Sequence, residues 1–142
     1  MVAKLAIAFL LLALSVLTHA AGLALVARRL PVGRVVPGLN FFAGVWLLIR
    51  LAAWVVVIHI IEITGWALFY WWKQCLQDLE SSLYFSVVTY ATLGYGDLTL
   101  VKGWRLLSGF EALTGILMCG WSTGFFFAVV SRMYTPSSKR AQ

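Results

Sequence analysis

Charge is scarce in this chain, and acidic charge scarcest of all: of 142 residues only 11% are charged, with five acidic side chains against eleven basic ones. With 62% hydrophobic residues and a mean hydropathy of +0.92, too few polar side chains remain to cover a soluble globule of this size. The composition therefore predicts a bilayer protein. There are only two cysteines, Cys75 and Cys119, and no metal-ligand spacing around them. There is no nucleophile-base pair, metal ligand set or phosphate-binding loop, and both histidines, His19 and His59, lie within or beside apolar runs, which argues against an enzyme. No row of arginines exists to gather the gating charge of an Arg-rich voltage sensor. The residues after Met133 are too few to fold into a ligand-binding domain. No internal repeat, linker or second domain interrupts the sequence.

What is present is apolar length. Residues 5–26, 41–62 and 106–130 each reach the roughly 20 apolar residues needed to cross a bilayer. A fourth segment, residues 83–92, is too short to cross. Irregular backbone at membrane depth is tolerated only where protein or a water-filled cavity surrounds it, so this segment reads as a re-entrant half-helix. The formal net charge of +6 does not point to nucleic acid, because the basic residues sit at the ends of apolar segments. Arg28, Arg29 and Arg34 in the first loop, and Arg132, Lys139 and Arg140 in the tail, place both on the cytoplasmic side by the positive-inside rule. Lys73, Asp78 and Glu80 are then outside, as is the N-terminus; Lys102 and Arg105 on the outer side weaken the bias. Lys4, an apolar run and Thr18-His19-Ala20 also imitate a secretory signal with its cleavage site. Apolar sequence continues to Val26 and ends in Arg28-Arg29, so the segment is read as a retained membrane helix.

The most informative run is Thr92-Leu93-Gly94-Tyr95-Gly96-Asp97. Its glycines allow backbone angles closed to other residues, so successive carbonyls can face one way and form a ladder of oxygen ligands. An aromatic-rich half-helix leads in and a full membrane helix leads out. This segment resembles the pore helix and filter of the potassium-channel superfamily, the known case in which such a ladder replaces the water around a dehydrated cation. The resemblance covers residues from about 41 to 132 and is nearest to the short prokaryotic members of the two-helix ion-channel family.

By that resemblance the carbonyls of Thr92, Leu93, Gly94 and Tyr95, with the Thr92 hydroxyl, make stacked sites for K+ as the permeant ion, and Gly96 forms the outer mouth. Asp97 braces the filter from outside. Tyr84 or Phe85 occupies the place of the aromatic partner of that aspartate, and only Tyr84 can donate a hydrogen bond to it. Leu93 stands where valine is commonest and Ala91 where many members carry a second threonine, departures that bear on filter rigidity rather than on the ion chosen. Gly115 and Gly120 lie where the family often has a bending glycine and a close-packing small residue, if the linker after Asp97 is one residue shorter. Gly115 is the preferred hinge, with tight helix packing the equal alternative. Ile116, Cys119, Thr123 and Phe127 follow at helical spacing and share one face, which suits cavity lining, with Phe127 an apolar constriction.

Ionisable groups inside apolar spans are costly and are usually paired or functional. Helical rise puts His19 and Arg50 roughly 13 to 15 Å from the cytoplasmic edge and Glu111 about 18 Å from it, so an Arg50–Glu111 ion pair between the second and last helices is expected. His59 and Glu62, spaced i, i+3, share a face near the outer boundary beside Trp66, Tyr70, Trp71 and Trp72, which read as an interfacial belt. They form either a pH sensor or an interfacial polar pair without a switching role. No role for His19 or the first helix follows from the sequence. Cys75 reads as a free thiol, with an intersubunit bridge as the alternative.

The fold expected is an all-α membrane protein, multi-pass in the cell membrane: three transmembrane helices plus a re-entrant pore helix and filter loop. Residues 1–40 make an additional helix and basic loop, 41–133 the pore module and 134–142 a short cytoplasmic tail. One chain carries one filter segment and a closed carbonyl cage takes four, so a homotetrameric pore is expected. The function implied is passive, potassium-selective conduction with no cofactor. The alternatives are a weakly selective cation channel and a non-conducting membrane subunit that modifies another channel. Gating arises in the membrane part or from a regulatory partner that the sequence does not name.

Overall fold

A computed structural model describes residues 2–29 and 40–134; Arg34, Lys139 and Arg140 lie outside the described residues. Four helices follow one another: α1 (Val2–Arg29), α2 (Phe41–Trp72), α3 (Leu79–Tyr90) and α4 (Arg105–Tyr134). Of these, α1, α2 and α4 are long and apolar enough to cross a membrane. At 12 residues, α3 extends only about 18 Å and cannot cross.

Two apolar clusters fix the packing. Near the α3 end, Ala8, Trp66, Tyr70, Cys75, Phe85, Leu100 and Leu107 are buried together. Towards the far end, Val26, Leu51 and Val129 pack with Leu47, Phe125 and Met133. Ala8 with Leu107, and Val26 with Val129, show that α1 and α4 run in the same direction, while α2 runs against both. The start of α1 therefore lies beside the segment that leads from residues 92–97 into α4, where the Lys4 ammonium donates to the Gly103 carbonyl and sits 5.1 Å over the Trp104 ring. Outward, Leu10, Leu14, Ile61 and Leu113 are exposed, a surface suited to lipid.

The second helix departs from expectation. It was expected to end near residue 62 and continues ten residues further, to Trp72. Trp66 and Tyr70 accordingly do not belong to an interfacial belt: both are buried, and the Trp66 indole donates to Ser15 Oγ at 3.2 Å. Trp71 and Trp72 remain exposed. Thr64 does not break the helix, because its hydroxyl donates back to the Ile60 carbonyl at 2.7 Å. The chain then reverses through Gln74, whose φ of 50° lets the Cys75 amide return to the Tyr70 carbonyl at 2.9 Å.

The start of α3 lies at Leu79 rather than 83, because Asp78 caps it: its carboxylate accepts from the Ser81 amide at 2.7 Å and from the Ser81 hydroxyl at 3.0 Å. These bonds hold the Asp78 carboxyl below its ordinary value. Both cysteines are free; Cys75 is buried in the apolar cluster and Cys119 is exposed.

Candidate ion-conduction site

Residues 91–97 emerge from the C-terminal end of α3 and are exposed on the single chain. The amides of Leu93 and Gly94 both turn back to the Val88 carbonyl, at 2.9 and 3.4 Å, and the Thr92 amide donates to the Thr89 carbonyl at 2.9 Å. The run is thus hooked to the last turn of the half-helix. Through the hook and just past it, φ is positive at every second residue: +61° at Thr92, +57° at Gly94 and +79° at Gly96. Two of these positions carry glycine, for which the region is open. Thr92 is not glycine; its positive φ is that of the left-handed residue that closes a helix, with the Thr92 amide on the Thr89 carbonyl and the Leu93 amide on the Val88 carbonyl, as Gln74 and Cys75 close α2. In an ordinary strand φ stays negative and carbonyls alternate in direction; alternation in the sign of φ breaks that pattern. Leu93 and Tyr95 are 56% and 67% exposed, so the large side chains of the run have no cover from their own chain.

At the far end of the run, away from α3, the Tyr84 hydroxyl donates to Asp97 Oδ2 at 2.7 Å. This bond is the main reason that the Asp97 carboxyl lies below its ordinary value of 3.8. A depressed carboxyl contributes fully above its ordinary value and loses that contribution only as pH falls through the lower, bound-state value, so the bond is intact from about pH 5 upward. Tyr84→Phe should raise the Asp97 titration midpoint towards its ordinary value. Carbon NMR of the carboxyl checks this, and an unchanged midpoint would show that Tyr84 does not hold it.

The expected Arg50–Glu111 pair is not formed. Glu111 is fully buried, accepting from the Tyr70 hydroxyl at 2.8 Å through Oε2 and meeting Ser86 Oγ through Oε1. Ser86 also reaches the Ile63 carbonyl at 2.9 Å. Arg50 is exposed, and Tyr70 lies about 30 Å further along α2, twenty residues at 1.5 Å each. Arg50 and Glu111 lie at different heights because α2 runs ten residues past its expected end near residue 62, and Glu111 meets that far end, at Tyr70. Glu111 joins α2, α3 and α4 instead.

His59 and Glu62 also lie elsewhere than expected. They sit at a junction of all four helices rather than at the outer boundary. Glu62 Oε1 is 2.9 Å from His19 Nδ1 of α1, and its Oε2 is 3.4 Å from His59 Nδ1 and accepts from the hydroxyl of Tyr90, the last residue of α3. Ser122 of α4 lies between the two imidazoles, its Oγ 3.1 Å from His19 Nε2 and 3.2 Å from His59 Nε2. His19 and Glu62 are buried and His59 nearly so. No local spacing predicted a metal ligand set, yet tertiary folding brings one ligand atom from each of His19, His59 and Glu62 within 4.8 Å of one another.

The inner-helix candidates separate. Gly115 is buried, and a Cβ there would stand 2.0 Å from the Tyr90 carbonyl oxygen, so α3 ends directly on the α4 backbone; this is the geometry of close packing, within an unbroken helix. Gly120 has open space at its Cβ position. Ile116, Cys119, Thr123 and Phe127 are all exposed, forming a face that α1, α2 and α3 leave uncovered. The Thr123 hydroxyl donates to the Cys119 carbonyl at 2.9 Å.

Residues 56–132 match the model of a family described as Ion channel, a stretch from the middle of α2 through α3 and the 92–97 run to the last turn of α4. No curated protein and no solved structure matches the chain. Since the matched stretch is more than half of the sequence and contains all of α3 and the 92–97 run, the chain belongs to the ion channel family.

Proposed function

We propose that four copies of this chain form a potassium-selective pore through which the ion passes passively. The observation that carries this reading is the alternation of positive φ at Thr92, Gly94 and Gly96 in a run hooked to the end of a half-helix and tied at its outer end by Tyr84 and Asp97. Carbonyls of Thr92, Leu93, Gly94 and Tyr95, with the Thr92 hydroxyl, are the ligands that replace water around K+, and Gly96 opens to the outer mouth. The C-terminal end of α3 adds about half a negative charge per chain towards the ion path. Exposed Leu93 and Tyr95 then meet neighbouring copies, and the uncovered face with Ile116, Cys119, Thr123 and Phe127 lines the cavity below.

In this reading residues 41–133 form the pore module, to which α1 is added. The arginine-bearing ends of α1 and α4 face the cytoplasm, and the start of α1 faces outward with the filter. The test is the mass of the purified assembly together with barium-sensitive K+ uptake into liposomes that hold it. Four chains per assembly and blockable uptake are expected. Equal uptake of K+ and Na+ would favour a weakly selective cation channel, and a silent protein a subunit that modifies another channel.

A further inference from the structure

The His19–His59–Glu62 junction is not used by the conduction path, and its chemistry calls for a cation. Glu62 is a buried carboxylate on a helix long and apolar enough to cross a membrane, and its contacts are two imidazoles and one phenol, with no lysine or arginine among them. An anion in such surroundings is costly unless positive charge is supplied. We propose that His19, His59 and Glu62 form a buried site for a divalent transition metal ion, of which Zn2+ is the best match.

Three observations carry this. The donor set is two imidazole nitrogens and a carboxylate oxygen, a combination that suits zinc and neighbouring first-row ions. The three ligand atoms already lie within 4.8 Å of one another, with His19 Nδ1 to Glu62 Oε1 at 2.9 Å and His59 Nδ1 to Glu62 Oε2 at 3.4 Å. Zinc bonds of about 2.0–2.1 Å in tetrahedral array space their ligands by about 3.4 Å, so rotamer-scale movement closes the site. Finally, the outer support exists. Ser122 Oγ has two lone pairs and faces both Nε2 atoms, at 3.1 and 3.2 Å. With both Nε2–H groups donating to it, the Nδ1 lone pair of His19 faces Glu62 Oε1, and that of His59 faces Glu62 Oε2 at 3.4 Å and the Tyr90 hydroxyl at 3.1 Å, so three electron-pair donors meet beside one phenol. Ligating histidines are commonly oriented in this way by a partner at the other ring nitrogen.

A water molecule at the fourth position, on losing one proton to bulk solvent, would supply the hydroxide that neutralises the single positive charge left when Zn2+ binds one carboxylate. Ligands from α1 and α2, supported by Ser122 of α4 and by Tyr90 at the foot of the filter, make the ion a pin through all four helices. That gives α1 and His19 a role independent of which ion the filter passes.

The test is zinc binding by the purified full-length chain in detergent, stripped with EDTA and then titrated with Zn2+ against a chromophoric chelator, with Co2+ as spectroscopic probe. One zinc per chain and the visible spectrum of four-coordinate cobalt are expected. His19→Gln and Glu62→Gln should each weaken binding by at least tenfold, and Ser122→Ala by about tenfold, whereas Cys119→Ser should leave it unchanged. Less than a tenth of a zinc per wild-type chain would overturn the proposal whatever the variants do. So would zinc retained equally by all three site variants, since the ion would then sit elsewhere.

Discussion

Gly94→Ala should yield a protein that folds and assembles but passes less than a tenth of the wild-type K+ flux. At φ +57° an alanine is strained by about 1–2 kcal/mol, yet its Cβ meets nothing within 4 Å in its own chain. The helical core lies elsewhere, around Trp66, Tyr70 and Leu107, so thermal unfolding in detergent should stay close to that of the wild type. The loss is local. A residue drawn to negative φ at position 94 turns at least one carbonyl of the ladder out of line, and a ring of four copies multiplies the defect. Flux retained in this variant would remove residues 92–97 from the conduction path.

Gly115→Ala should do the reverse, damaging the fold before the path. Its Cβ would lie 2.0 Å from the Tyr90 carbonyl oxygen and 2.9 Å from the Tyr90 carbonyl carbon. Those are backbone atoms, so no side-chain rotation relieves the contact, and α3 must move away from α4. Overpacking of this kind costs about 3 kcal/mol. Displacing Tyr90 also breaks its hydroxyl contact with Glu62, and with it the junction to His19 and His59. The expected outcome is a marked drop in unfolding temperature and loss of the assembled species on size exclusion. Gly120→Ala, with open space at its Cβ, is the matched control and should unfold as the wild type does. An unfolding temperature at position 115 equal to that of the control would show that Gly115 is not required for packing against Tyr90.

These two glycines show where the sequence was informative. The 92–97 run is contiguous, and the backbone freedom it needs is written into neighbouring letters, so it was legible without a fold. The three long helices were legible from apolar length alone. What sequence did not show is what depends on distant partners. His19 and Ser122 are 103 positions apart and meet only because α1 and α4 run side by side. No local spacing announces that contact, nor the one between Glu111 and Ser86. The extent of α2 was missed for a different reason. Trp66 and Tyr70 have the composition of a membrane-interface belt, and only their burial against α1 and α3 shows that they are core. The misplaced end of that helix carried two further errors with it, the depth of Arg50 relative to Glu111 and the position of His59 and Glu62 relative to the outer boundary.

The alternation at Thr92 was legible only in part. Glycines at 94 and 96 predicted freedom of φ, but a positive φ at a threonine follows from the way residues 92–94 cap the end of α3, a left-handed cap at which the residue type gave no signal because glycine is the usual occupant.

Selection of potassium by a carbonyl ladder at residues 92–97 is the central proposal. The most direct measurement is the reversal potential of the purified full-length protein in a planar bilayer with K+ on one side and Na+ on the other. A selective ladder predicts a reversal potential of roughly 100 mV or more, driven by K+, since a fiftyfold permeability ratio is worth about 2.3 kcal/mol per elementary charge. A reversal potential near zero would contradict it.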